Sequence, residues 1–100
     1  MNRFWLSYDL GLQGDYGPLY TWLDKAKARE CGDSAATFQS EKPREQIAKE
    51  LQRAAGRKAR LYLIGKNKAG KTVGGFVGGS RRRAPWAGFA ESLAESDEEE

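Results

Sequence analysis

RFWLSYDLGLQGDY, residues 3–16, holds the largest β-forming side chains in one short run and then stops abruptly. Phe4, Trp5, Leu6, Ser7 and Tyr8 form the run, Asp9 closes it, and glycines at 11 and 14 break the chain before a helix start at Asp15. Such a run reads as a strand over residues 3–10. Side chains alternate across a strand, so Phe4, Leu6 and Tyr8 share one face and Trp5, Ser7 and Asp9 the other. Both faces begin bulky, which suits a central strand covered on both sides, by the domain's helices on one and by a second subunit on the other.

Working outward, Asp15 is a good helix cap and Pro18 is tolerated in a first turn, where N–H groups lack intrahelical partners. Tyr16, Leu19, Tyr20, Leu23 and Ala26 recur at helical spacing, with Trp22 beside the stripe. The spacing predicts a helix over about 15–28, with Lys25, Lys27 and Arg29 near its negative end. Gly32-Asp33 reads as a turn or bulge and Ala35 to Gln39 as a short strand, making either a bent strand or a tight hairpin. Ser40 and Pro43 introduce a second helix over about 42–55, with Ile47, Leu51 and Ala54 as its apolar stripe. Glu45 and Lys49 pair along it, and Gly56 stops it. Arg60 to Ile64 is another strand. Asn67 to Gly70 is a turn, and Lys71 to Val77 returns as a hairpin arm weakened by glycines. Strand, helix, one or two short strands, helix, strand and hairpin arm make an α+β protein: a mostly antiparallel sheet with two helices on one face. The ferredoxin-like split βαβ arrangement fits best, with a C-terminal hairpin added.

Composition limits the chemistry. One hundred residues make one domain. There is no histidine and one cysteine, Cys31. Intrachain disulfides, zinc or thiolate centres within one chain, and Ser-His-Asp or Cys-His nucleophiles are therefore excluded. Cys31 is expected to be a small buried or half-buried residue. Neither a signal pattern nor an apolar run long enough to span a membrane is apparent, so a cytoplasmic location is expected. The net charge of +3 conceals an asymmetry. Residues 91–100 carry six acids and no base, leaving 17 basic against 8 acidic residues in 1–90, a net of about +9. Residues 1–90 are read as the folded domain and 91–100 as a disordered acidic tail that tunes solubility or folds back on a basic patch.

A basic body suits nucleic acid. The most basic local patch is Arg81, Arg82 and Arg83 with Trp86 close by; arginines contact phosphates while the indole stacks on a base or packs a loop down. Lys66, Lys68 and Lys71 on the preceding hairpin extend the expected surface. Residues Gly65 to Thr72, GKNKAGKT, fit the phosphate-binding pattern G-x-x-x-x-G-K-[ST] letter for letter. That loop works by opening a helix whose N–H groups face the anion. Here four glycines occur in residues 73–79, and each disfavours a helix by about 1 kcal/mol. The string is read as a basic hairpin turn, and nucleotide is not an expected ligand.

The segment SYDLGLQGDYGPLYTWLD resembles the opening of the small ferredoxin-like proteins grouped with VapD, the SinR-type bacterial proteins and the small structural subunit of the CRISPR adaptation complex. Tyr8-Asp9-Leu10, Asp15-Tyr16 and Leu19-Tyr20 carry the likeness. Asp33-Ser34 before a strand, Ser40 to Leu51, and Leu61 to Ile64 extend it over about residues 3–65. The resemblance implies a homodimer and business with nucleic acid, as a metal-dependent nuclease, an RNA-cutting toxin or a non-catalytic binder. It also implies that Asp9 is the family's strand-end carboxylate, two copies of which could hold Mg2+ across a dimer axis and activate water at a phosphodiester. Capping the Leu10–Gly14 turn is the expected use of Asp9, and the metal role is the alternative. The resulting expectation is a homodimeric, non-catalytic nucleic-acid binder that needs no cofactor. The alternatives are a Mg2+-dependent ribonuclease built on paired Asp9, and an assembly subunit with no nucleic-acid role.

Overall fold

A computed structural model of the chain describes residues 1–91. Over these the chain forms, in order, β1 (Asn2–Asp9), α1 (Gly17–Lys25), β2 (Arg29–Gly32), β3 (Ala35–Ser40), α2 (Arg44–Ala55), β4 (Arg60–Lys66) and β5 (Thr72–Gly78). A turn over 85–88 then leads into helical residues 89–91. The acidic tail, apart from Glu91, lies outside the described residues. No described helix is long and apolar enough to cross a membrane.

The strands make one sheet in the order β2-β3-β1-β4-β5, antiparallel at every pairing. The first four follow the ferredoxin-like order, and β5 adds a fifth strand outside β4. β1 is central: Trp5 lies opposite Thr37 on one side and Ile64 on the other. Both helices cover one face, where Phe4, Leu6, Ala36, Phe38, Leu61, Leu63 and Val77 meet Leu19 and Leu23 of α1 and Ile47 and Leu51 of α2. Phe4 stacks on Phe38 at 5.6 Å, and Trp22 meets Phe38 edge-on while its Nε1–H donates to Glu50 at 3.1 Å. The central position of β1 is as expected. The described residues supply no second cover for it: Trp5, Ser7 and Asp9 are exposed.

The termini of the elements depart from expectation for local reasons. α1 begins at Gly17, and Asp15 secures the entry by accepting the Gly17 N–H at 2.9 Å. It ends at Lys25 because Lys27 takes a left-handed φ of 56°. Lys27 N–H then donates to Asp24 O and Ala28 N–H to Leu23 O, both at 3.0 Å, the paired bonds of a Schellman stop. Lysine rather than glycine holds that position, so the stop carries no sequence signal and the helix is shorter than 15–28. Residues 29–40 settle as a tight hairpin, with Ser34 at φ 55° in its turn and a bulge between Glu30 and Gly32. Cys31 sits at that bulge and is exposed, contrary to the expected burial. α2 stops at Gly56, φ 88°, as expected.

Glu45 has a different partner from the one its spacing suggests. Both its oxygens accept the backbone N–H of Lys68 at 3.1 Å, tying the first turn of α2 to the tip of the β4–β5 hairpin. That hydrogen bond holds its carboxyl below the ordinary carboxylate value. At the other end of the β4–β5 pair, the Gln52 side-chain amide donates to Val77 O. Between them, Arg44 donates from Nε to Leu63 O and from Nη2 to Gly75 O, each at 3.1 Å. α2 is therefore fastened to β5 as well as packed on β4.

Candidate nucleic-acid interface

The sheet face without helices is read directly from the registers. Its rows run Gln39–Arg3, then Thr37–Trp5–Ile64–Gly74, then Ala35–Ser7–Tyr62–Phe76, then Asp9–Arg60. Lys66 opposite Thr72 and Arg29 opposite Thr37 complete its margins. Alternation places these residues together because the other half of each strand is committed to the core.

Three aromatic rings lie on this face. Trp5 is 43% exposed, an unusual state for the largest apolar side chain on a central strand. Tyr62 and Phe76 are half-buried and meet edge to face at 5.1 Å. The guanidinium carbons of Arg60 and Arg81 lie 5.4 and 5.7 Å from the Phe76 ring centroid, within cation–π range. Arg60 is steadied by its Nε–H donating to Ser80 O at 3.1 Å. Arg3 donates to Thr37 Oγ1 at 3.1 Å, and that hydroxyl donates to Phe4 O at 2.8 Å. Gly74 matters by its size: a Cβ there would come within 3.2 Å of Tyr62 Oη and 3.4 Å of its Cε1. The missing side chain lets the Tyr62 ring lie across the sheet.

The residues expected from sequence are distributed differently. Lys66, Lys68 and Lys71 are exposed at the hairpin tip; Arg81, Arg82, Arg83 and Trp86 are exposed where the chain leaves β5. They do not form one local patch. β5 runs antiparallel to β4, so Gly78 returns beside Leu61 and the two clusters sit at opposite ends of the strand pair, roughly 20 Å apart at about 3.3 Å per residue. The open face spans the distance, with Lys66 at one end and Arg81 at the other. Trp86 is 75% exposed, so it does not close the core.

Asp9 holds its own turn. Its Oδ1 accepts the Gly11 N–H at 2.8 Å, with Gly11 at φ 73°, and Leu10 N–H donates to Tyr16 Oη at 3.1 Å. Asp9 also lines a shallow depression with Ser7, Arg60, Tyr62 and Phe76. Among the described residues no three His, Cys, Asp or Glu side chains gather into a cluster that could hold a metal ion. Beyond the core-facing edge of β1, Tyr8 packs with Tyr16 and Tyr20, and burial, with Tyr20 beside it, raises its phenol above the ordinary value.

The phosphate-loop string folds as the β4–β5 hairpin. Asn67 N–H donates to Lys71 O at 2.9 Å, Lys71 N–H to Asn67 Oδ1 at 3.0 Å, and Gly70 takes φ 79°. Both glycines of the pattern have packing or backbone reasons. A Cβ on Gly65 would fall 2.0 Å from Phe4 Cδ1, and Gly70 occupies a left-handed turn position.

Trp5, Tyr62, Phe76, Arg3 and Arg60 are the residues of the open face that local charge did not reveal. For all but Phe76 the signal is present in the alternation of RFWLSYD and RLYLI, where aromatic and basic residues fall on the positions that the core does not use; Phe76 stands among glycines and joins them only through the β4–β5 register. No protein-family model, curated protein or solved structure matches the chain.

Proposed function

We propose that this chain is a small cytoplasmic nucleic-acid-binding protein, a binder rather than a catalyst, that works as a homodimer through the open face of its sheet. The charge on that face carries the reading. Arg3, Arg29, Arg60, Lys66 and Arg81 border it, and Asp9, the acid among the rows, is occupied with the Gly11 N–H. A polyanion laid over the face meets cations along its margins. The exposed cysteine, with no intrachain disulfide possible, is in keeping with a reducing compartment. The resemblance to the VapD-like proteins supports both the dimer and the nucleic acid. Strand β5 offers an edge for the second copy: TVGGFVG has no charge and no proline to discourage pairing, and edge pairing leaves the open face free. Asp9 has a structural task in its turn, which favours binding over a nuclease built on two copies of it.

The test is retention of labelled RNA and DNA over a salt series, beside an Arg60→Ala/Arg81→Ala variant. The affinity of the parent should fall with salt. The variant should bind more weakly with a shallower dependence, the log–log slope dropping by about 0.7 for each phosphate of a single strand that is no longer neutralised. Asp9→Asn with Mg2+ present should leave the nucleic acid uncut and retained. Absence of retention at low salt overturns the reading and leaves an assembly subunit; cleavage that Asp9→Asn abolishes makes it an enzyme.

A further inference from the structure

We infer that the ligand of the open face is a single strand whose bases stack on Trp5 and Tyr62, with duplex excluded by shape; this rests on the nucleic-acid reading above. Five strands at about 4.8 Å spacing make a surface roughly 19 Å across, too broad for a major groove of about 12 Å. A duplex therefore presents only phosphates to this face, and its bases stay stacked on one another. A single strand lies flat and turns its bases down.

The rings are placed for that contact. Trp5 and Tyr62 occupy diagonal positions on neighbouring strands, since Trp5 pairs with Ile64 and Ser7 with Tyr62. Diagonal side chains stand about 7–8 Å apart, room for two bases on separate rings. Ser7 beside Tyr62, and Gly74 in the row of Trp5, keep the ground between and around the rings low. Phe76 serves differently: it meets Tyr62 at right angles and both arginines lie against its ring, so it holds Tyr62, Arg60 and Arg81 in position. Stacking is tolerant of base identity, because every base has a π-face, so the expected preference is for single strands over a particular sequence.

The experiment titrates four labelled probes: short oligo-uridine, short oligo-thymidine, an abasic oligodeoxynucleotide of equal length and a duplex. Each is measured against the parent, Trp5→Ala, Trp5→Phe and Gly74→Val, with folding checked by thermal melting. Either homopolymer should bind at least 10-fold tighter than the abasic strand and the duplex. Trp5→Ala should lose about 5- to 100-fold on the homopolymers and little on the abasic strand. Trp5→Phe should recover much of that loss, and Gly74→Val, by tilting Tyr62, should weaken the homopolymers alone. Oligo-uridine against oligo-thymidine decides between RNA and DNA. Equal binding of homopolymer, abasic strand and duplex, unaffected by Trp5→Ala, overturns the stacking inference while sparing the charge reading. Binding of none of the probes overturns both. Conversion of a dimer to a monomer by Trp5→Ala assigns the face to a second copy and overturns the inference.

Discussion

The two faces of the sheet are made by the same strands and share nothing else. On β1, Phe4 and Leu6 are fully buried while Trp5 and Ser7, their immediate neighbours, are exposed. On β4, Leu61 and Leu63 are sealed beneath α2 while Arg60, Tyr62 and Ile64 look outward. The covered face is mainly aliphatic, its aromatics being the stacked Phe4 and Phe38 and, at its margin, Tyr8, with Trp22 of α1 edge-on to Phe38. The open face interleaves aromatic rings with arginines. Burial explains the first set in full, since each residue removes apolar surface from water. It explains less of the second, whose rings are only partly buried, and the proposed binding role rests on that difference.

Substitutions can break that contrast or sharpen it. Phe4→Ala removes a fully buried ring from its stack and should cost about 3–5 kcal/mol, a large share of the stability of a domain this size, read from urea midpoints. Gly65→Ala forces a methyl into the Phe4 ring and should cost about 1–3 kcal/mol or more by the same measurement, although alanine is the mildest of replacements. Lys27→Gly should raise stability by about 1 kcal/mol, because glycine takes the left-handed stop of α1 without strain. Trp5→Ala should cost about 1 kcal/mol, for the part of the ring that rests on the sheet; a cost like that of Phe4→Ala would show that the open face is structural after all. The gentlest effect is an acid-dependent one at the Glu45 tie. Its carboxyl titrates below the ordinary value of 4.5 in the folded chain, so its contribution is complete above that value and disappears as pH falls through the depressed one. Glu45→Gln should therefore narrow the gap between midpoints at pH 7 and pH 3.

Period and punctuation made most of the fold legible. Alternation assigned β1 and β4, helical spacing assigned α2, and Gly56 and the Asn67–Gly70 turn marked true boundaries. The ferredoxin-like order follows once those elements are packed in sequence. Two boundaries were hidden where a side chain takes a backbone angle that glycine usually takes. Lys27 ends α1 unannounced, and Ser34 turns the β2–β3 hairpin that sequence left open between two shapes. The site was harder to read for another reason. Charge clusters are visible along the chain, but a sheet face is assembled from residues far apart in sequence. Trp5, Tyr62 and Phe76 become neighbours only through registers, and the same registers carry the hairpin lysines away from Arg81 to Arg83. Alternation did report which residues share a face with Trp5; it could not report what covers them.

The central position of β1 also has a kinetic side. Its partners are Ala35–Ser40 and Arg60–Ile64, so Trp5 waits for a residue almost sixty positions later before both its edges are paired. β1 is synthesised before either of its partners, so this aromatic, β-prone segment stays incompletely paired until β4 has been made. Pairings of this span are slow to close, and an unpaired apolar strand is the species most open to association with its own kind. Refolding yield should accordingly fall with protein concentration, and a chain truncated before Arg60 should aggregate where the full chain stays dispersed.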